Sequence, residues 1–317
     1  MSMPIVSSAN TNQFQLRYCP ALGKKPVPRK DAVPTNKFDP FENPIRELFI
    51  ADLPSTNPSH ILVLNKYAVI ANHFIIATKT NKQQTHLLEE DDLAATYACL
   101  KAWEESPGGR PNSLFAFFNS GNNSGASQAH RHLQFLPVND MYAGEASSGW
   151  QILVNSILAD GEGTTQSTDV APTVLQHPSL PFTHFAYRFS TAPSSSQLLQ
   201  TYNDLYQLAK AAIDDFIAAN PDQLALHPTE EGDLPISYNL AMTTSGMAIL
   251  PRRSEGYMLQ REDGTDLGVV ELNGTALGGT LMVKFEEQWE LLKAKPETLD
   301  AILEAIGIPK TSHATKL

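Results

Sequence analysis

Only two cysteines, Cys19 and Cys99, occur among 317 residues. That is too few for a disulfide framework, and their spacing is not that of a metal site, so both are expected as buried thiols of a reducing compartment. Long apolar runs are missing too, which leaves no segment of membrane-span length. The first ten residues lack a basic stretch followed by an apolar one, so they do not read as a signal peptide. Basic charge is also short: 23 Lys and Arg stand against 34 Asp and Glu, a formal charge of −11. A general surface for nucleic acid polymers or anionic membranes is thereby excluded, and a polyanionic substrate would need a local positive site. The expectation is a soluble protein of the cytoplasm, with the nucleus as a second compartment open to it.

What is present suffices for a globular core, since 42% of the residues are hydrophobic and the length allows one large or two medium domains. Residues 1–60 carry many prolines, as in Phe38-Asp-Pro-Phe-Glu-Asn-Pro44, and predict an irregular segment wrapping a core. Strands are expected over 61–70, 73–78, 114–119, 130–137 and 181–189, and again over 236–242, 247–251 and 279–284. Apolar residues at helical spacing predict helices over 87–105 and 194–219, with Ser195 or Ser196 as the N-cap of the second, and two short helices from Glu286 and Pro296. The Gly-, Ser- and Thr-rich stretch near 139–175 reads as a flexible insertion. Strands, helix and strands occur twice, which suggests two related α+β halves, 61–190 and 191–317.

The most informative stretch is Gly125-Ala-Ser-Gln-Ala-His-Arg-His-Leu-Gln134. On a strand, side chains alternate, so His130, His132 and Gln134 share one face while Arg131, Leu133 and Phe135 take the other. The preceding Asn119-Ser-Gly-Asn-Asn-Ser-Gly125 offers backbone N–H groups where the chain can bend closely around an anion. A bare His-x-His reads equally well as a hydrogen-bonded polar strand face. Metal ligation would need a third or fourth ligand, for which only distant His73, His86 or His184 stand available. A neutral imidazole is a good nucleophile on phosphorus, provided its other nitrogen donates to a fixed acceptor such as a backbone carbonyl. Gln134 and Ser127 could then donate to phosphoryl oxygens.

With its upstream Phe-Phe-Asn-Ser-Gly-Asn-Asn-Ser, this stretch resembles the active-site motif of the histidine-triad superfamily. Glutamine at 134 is typical of its transferase branch, where hydrolases have a third histidine. Further blocks (Leu-Arg-Tyr-Cys-Pro-Ala-Leu-Gly-Lys-Lys-Pro, Val-Leu-Asn-Lys-Tyr, Tyr-Asn-Leu-Ala-Met-Thr and Asn-Gly-Thr-Ala-Leu-Gly-Gly-Thr-Leu-Met-Val-Lys) are similar to the fungal diadenosine tetraphosphate phosphorylases, also called ATP adenylyltransferases. The resemblance implies an α+β, histidine-triad-like fold: an antiparallel sheet with flanking helices, in two related halves. It implies His132 as nucleophile, with His130 and Gln134 beside it, and a covalent AMP–histidine intermediate. Asn119, Gly125, Ala126, Ser127 and Gln128 would line the phosphates, Asn65 and Lys66 the ribose or base, and Lys25 and Lys284 the distal phosphates.

Asn273, Gly274, Thr275 and Thr280 match family substrate positions more loosely, because relatives tend to have Asn-Ser-Leu-Gly where this chain has Asn-Gly-Thr-Ala. Arg131 stands where lysine is common and, pointing off the catalytic face, is expected to matter little. The Glu89-Glu90-Asp91-Asp92 run is expected as a solvated helix start. Arg252-Arg253 could bind phosphate or simply end a strand. The substrate's charge implies a divalent cation, Mg2+, carried on its phosphates. Substrates would be diadenosine tetraphosphate, ATP, ADP and phosphate, with the protein a monomer or weak homo-oligomer. A hexose-1-phosphate uridylyltransferase-like enzyme, a dinucleoside polyphosphate hydrolase, and a nucleotide sensor without turnover are the alternatives.

Overall fold

The computed structural model describes residues 2–6, 13–24, 39–142, 150–164 and 173–310. Strands β1 (Ser2–Val6), β2 (Gln13–Tyr18), β3 (Phe49–Leu53), β4 (His60–Leu64) and β5 (Phe74–Thr78) lead to helix α1 (Glu90–Glu104). There follow β6 (Leu114–Ser120), β7 (His132–Pro137), α2 (Val138–Met141) and α3 (Leu153–Asp160). Next come β8 (Glu162–Thr164), β9 (Val174–Gln176), β10 (Phe185–Arg188), the long α4 (Ser195–Ala219), β11 (Ser237–Thr243) and β12 (Gly246–Arg252). A hairpin of β13 (Gly256–Gln260) and β14 (Asp266–Glu271), then β15 (Thr280–Val283), α5 (Glu286–Ala294) and α6 (Thr298–Ile306), completes the order.

Ten strands form one sheet in the order β3-β4-β5-β7-β6-β11-β12-β10-β9-β8, every pair antiparallel. The run β3-β4-β5-α1-β6-β7 recurs as β8-β9-β10-α4-β11-β12, and the two runs meet where β6 pairs with β11, Phe118 opposite Leu240. The two runs thus form one continuous sheet with a seam at its middle, and β8–β10 belong to the second run although the expected division after residue 190 put them in the first half. A smaller sheet joins β1, β2 and β15, β15 running parallel to β2.

Alternation along the central strands builds two cores. Ala116, Phe118, Leu133 and Phe135 point towards α1 and α4, where Leu93, Leu100, Leu198, Tyr202 and Leu205 meet them. Phe115, Phe117 and Leu136 point the other way, against Phe14 and Leu16 of β2, Leu153 and Ile157 of α3, and Leu281 of β15. Full burial of each such side chain contributes about 1.5–3 kcal/mol. Helix α4 is capped by Ser194, one residue before the expected Ser195 or Ser196: its hydroxyl accepts from the Gln197 amide while Gln197 reaches back, a capping box. Among the described residues no helix is long and apolar enough to cross a membrane.

Three expectations are corrected. The 139–175 stretch is not all loop: Trp150 is buried and α3 inserts Leu153, Val154, Ile157 and Leu158 into the core. Its many small polar residues hide one apolar turn pattern, Ile152 to Leu158. Residues 1–60 hold β1, β2 and β3 rather than only irregular chain. The expected strand over 61–70 ends at Leu64, and the chain then turns through Asn72, with φ of 54°, before β5.

Candidate active site

At its N-terminal end β7 leaves β6, and a different element takes over its support. The extended Lys82–Gln84 segment runs beside it: the Arg131 amide donates to Lys82 O at 2.7 Å and the Gln84 amide to Ala129 O at 2.7 Å. The Gln84 side chain fills the gap in the ladder. Its Oε1 accepts from the His132 amide at 2.8 Å, while Nε2 donates to Asn119 O at 2.8 Å and His132 O at 3.2 Å. One buried amide thus stands in for two rungs of sheet and fixes the His132 backbone.

The His132 ring donates Nδ1–H to the carbonyl of His130 at 2.8 Å. That bond leaves the lone pair on Nε2. Burial pushes its pKa down from 6.5 to about 4, so the ring is neutral at pH 7. Phe41 lies against it with ring centroids 5.1 Å apart, and meets His130 edge-on at 5.6 Å. His130 is itself pinned. Its Nδ1 donates to Asp39 Oδ2 at 2.7 Å, and Nε2 lies 3.0 Å from Thr78 Oγ1 and 2.7 Å from Thr78 O. Burial alone would raise the Asp39 carboxyl, but the Phe41 amide and the His130 ring hold it below its usual value.

Gln134 shares the His132 face, as the strand period predicts. Its Oε1 accepts from His73 Nε2 at 3.1 Å, and Asn65 Nδ2 lies over the His73 ring, 3.1 Å from Nδ1 and 3.4 Å from Nε2. Asn65 Oδ1 accepts from the Tyr67 amide at 2.9 Å, and Lys66, exposed, places its ammonium 5.6 Å from the Tyr67 ring centre.

The glycine-rich loop wraps the open end. Gly121 and Gly125 have φ of 84° and 76°, which side chains other than glycine rarely adopt. A Cβ on Gly125 would come 2.7 Å from the Asn273 side chain. Ala126, Ser127 and Gln128 are exposed, and their amides donate to no group among the described residues. Such N–H groups, unpaired among the described residues and four to six positions before His132 in the chain, are what an anion needs. Asn119 is less available: its Oδ1 accepts from the Gly274 amide at 2.8 Å and from Asn239 Nδ2 at 2.9 Å.

Asn239 Nδ2 also donates to Ser124 O at 2.9 Å, and Arg252 Nη1 donates to Asn239 Oδ1. The 273–275 turn is thereby tied to the loop, with Asn273 Oδ1 accepting from the Thr275 amide at 3.0 Å and Thr275 Oγ1 donating to Thr280 O at 3.4 Å. The buried Thr280 hydroxyl has no partner among the described residues. Lys284 pairs with Glu271, and Gly23 packs against it. Lys25 lies outside the described residues.

Two expectations fail here. Arg131 does point off the catalytic face, but it is buried and consequential: Nη1 donates to Asp92 Oδ2 at 2.8 Å and to Glu89 Oε1 at 2.9 Å. Asp92 is the reason. It is fully buried and accepts from His60 Nε2 at 2.9 Å, whereas Glu89, Glu90 and Asp91 are solvated as expected. Arg252 does end a strand, β12, but inside the protein. It lies at 0% exposure and donates to Asn239, Ile306 O at 3.2 Å, Ser254 O at 2.9 Å and Leu272 O at 2.9 Å. The residues not anticipated, Asp39, Phe41, Thr78, Gln84 and Asn239, all act on the motif from a distance in sequence. The Phe-Asp-Pro-Phe block was the one available signal for the first two.

Two family models match in tandem, the Ap4A phosphorylase N-terminal domain over residues 4–153 and the ATP adenylyltransferase C-terminal domain over 178–309. Diadenosine 5',5'''-P1,P4-tetraphosphate phosphorylase 2 of Saccharomyces cerevisiae is 26% identical over 310 residues, 95% of this chain and 86% of that protein. Protein APA1 of the same organism is 26% identical over 307 residues, 94% and 84% of the two chains. The crystal structure of yeast Ap4A phosphorylase Apa2 has the same fold, with TM-score 0.71 and 22% identity over 99% of this chain and 88% of the other. Its complex with Ap4A gives TM-score 0.70, also at 22% identity, over 98% and 90%.

Proposed function

The chain belongs to the Ap4A phosphorylase family, whose two domains follow one another along it, and we propose that it splits diadenosine tetraphosphate (Ap4A) with inorganic phosphate into ADP and ATP, reversibly. The observation that carries this is the His132 ring: Nδ1–H is committed to the His130 carbonyl at 2.8 Å, so Nε2 is a neutral lone pair at pH 7.

Nε2 attacks the α-phosphorus of one adenosine end, forming a P–N bond as the P–O bond to the leaving ATP breaks. Phosphate then attacks the same phosphorus, the P–N bond breaks, and ADP leaves with the imidazole restored. Glutamine at 134 can donate to a phosphoryl oxygen but cannot take a proton, so water gains no base there, while phosphate already carries charge. Catalysis rests on alignment and charge stabilisation.

In this reading the amides of Gly125, Ala126, Ser127 and Gln128 hold phosphate oxygens, with Asn119 shaping their loop. Asn65 and Lys66 contact the ribose or base of the nucleotide. Lys25 and Lys284 meet the distal phosphates, and the 273–275 turn with Thr280 supports them. Mg2+ riding on the substrate phosphates offsets their mutual repulsion. The compartment is the cytoplasm with the nucleus, and the working unit a monomer or weak homo-oligomer.

The test is product analysis of Ap4A with Mg2+, with and without phosphate. ADP and ATP in equal amounts, only when phosphate is present, is the expected result. AMP and ATP without phosphate would make the protein a hydrolase and refute the role given to Gln134.

A further inference from the structure

The glycine-rich loop turns its backbone groups two ways, and a strand of the other half holds the inward side. Inward, the Ser124 amide and hydroxyl both donate to Gly121 O, at 3.2 and 2.6 Å, and the Asn123 backbone amide donates to Ser237 Oγ at 3.0 Å. Outward, the amides of Ala126, Ser127 and Gln128 have no acceptor among the described residues. Ser237 opens β11 and is buried, two residues before Asn239 on the same face of the strand. It reaches the loop because Gly121 has no side chain: a Cβ there would collide with the Ser237 hydroxyl. Behind the hydroxyl stands His227, its Nε2 2.8 Å from Ser237 Oγ. His227 belongs to the α4–β11 connection, whose Leu234 amide donates to Thr85 O at 3.0 Å, one residue from Gln84. The His227 amide donates to Pro235 O at 2.8 Å and closes that connection on itself.

We propose that Ser237 is a positioning residue for the substrate phosphates, its hydroxyl seated by His227 and holding the Asn123 backbone amide so that the following amides face the anion. This rests on the phosphate-binding reading of the loop. A loop that binds an anion through N–H groups gains most when those groups are aimed before the anion arrives. Glycines at 121 and 125 permit the left-handed turns but supply no restraint of their own. Restraint comes from side chains outside the loop: Asn239 grips Ser124 O, and Ser237 grips the residue before it. Either tautomer of His227 serves, since a serine hydroxyl can donate to a ring lone pair or accept from a ring N–H.

The experiment compares adenosine with AMP, two ligands that differ by one phosphate, by calorimetry on the full-length protein. Wild type should bind AMP more tightly, the difference measuring the phosphate's share. Ser237→Ala should cut that preference about tenfold and leave the adenosine affinity unchanged. Equal weakening of both ligands, or an undiminished preference, overturns the proposal. A wild type with no preference for AMP would instead remove the phosphate-binding reading itself, and the proposal with it.

His227 supplies the second arm, and its ring is half-buried, so it can be replaced without opening the core. His227→Phe should reduce the AMP preference about threefold, while His227→Gln, whose amide nitrogen can take the place of Nε2, should keep it. In the Ser237→Ala background His227→Phe should cost nothing further, since no hydroxyl remains to seat. Losses of equal size in both backgrounds, or a glutamine variant as impaired as the phenylalanine one, would contradict the role given to His227. Should Ser237→Ala fail to fold, the two His227 variants decide alone. Selective loss of AMP affinity in the first with retention in the second supports the proposal, and any other pattern overturns it.

Discussion

Asn239 donates its side-chain amide to Asn119 Oδ1 at 2.9 Å, directly across the seam where the two runs of the sheet meet. Through this contact the half without paired histidines holds the loop of the half that has them. Behind Asn239 stands Arg252, a buried guanidinium whose direct partners are an amide oxygen and backbone carbonyls, and whose pKa burial pushes down to about 9. Asn239→Ala would leave Arg252, Asn119 and Ser124 each short of a partner. It should cost about 3 kcal/mol in urea unfolding and slow adenylyl transfer in a single turnover. Unchanged transfer would mean that the seam contact does not govern the loop.

Asp39 acts on the opposite side of the motif. It holds the His130 ring, and the His130 carbonyl in turn fixes the His132 tautomer. Asp39→Ala should lower kcat about tenfold, within the range typical of lost orienting partners. The thermal midpoint should move only a few degrees, because Asp39 sits at the edge of the core. A large fall in stability with normal kcat would contradict the positioning role.

Arg131 and Asp92 form a buried pair joined by His60. Removing one partner strands the other charge, so Arg131→Ala should destabilise by about 3–5 kcal/mol. Activity of the molecules that remain folded should change little, since the side chain faces α1 rather than the substrate. Denaturant unfolding and specific activity per folded molecule check the two halves of this statement.

Acid should destabilise the protein well above the pH at which carboxylates titrate. Burial lowers the His132 pKa from 6.5 to about 4 and that of His184 from 6.5 to about 3. Between those values and 6.5 the unfolded chain binds protons that the folded one refuses, so stability falls as pH drops through this window and levels off below it. Thermal midpoints measured from pH 7 to 4 should decline steadily. His184→Phe should flatten the slope. A midpoint independent of pH in this range would show that these rings are charged inside the fold.

The period of two along β7 was enough to put His132 and Gln134 on one face, and the glycines before them marked the loop with two left-handed residues. The helical spacing from Leu198 to Phe216 likewise located α4. What the sequence hid was contact at long separation. Asp39 reaches His130 across 91 positions and Gln84 reaches His132 across 48, and no local pattern encodes either. Asp92 was misplaced for a related reason: three of four consecutive acids are solvated, and only packing against Arg131 and His60 reveals the exception. The hairpin of β13 and β14 escaped notice although Asp263-Gly264 marks its turn, because the strands beside it are half exposed and barely alternate.

The central claim is a covalent bond between His132 Nε2 and the α-phosphorus of the nucleotide. Protein mixed with Ap4A and Mg2+ without phosphate, quenched in base to preserve the P–N bond, and mapped by peptide mass spectrometry tests it most directly. The account predicts one adenylyl group on His132, released as ADP when phosphate is added before the quench, and none in His132→Ala. Turnover without an adduct, or an adduct on Ser127 or another side chain, would contradict it.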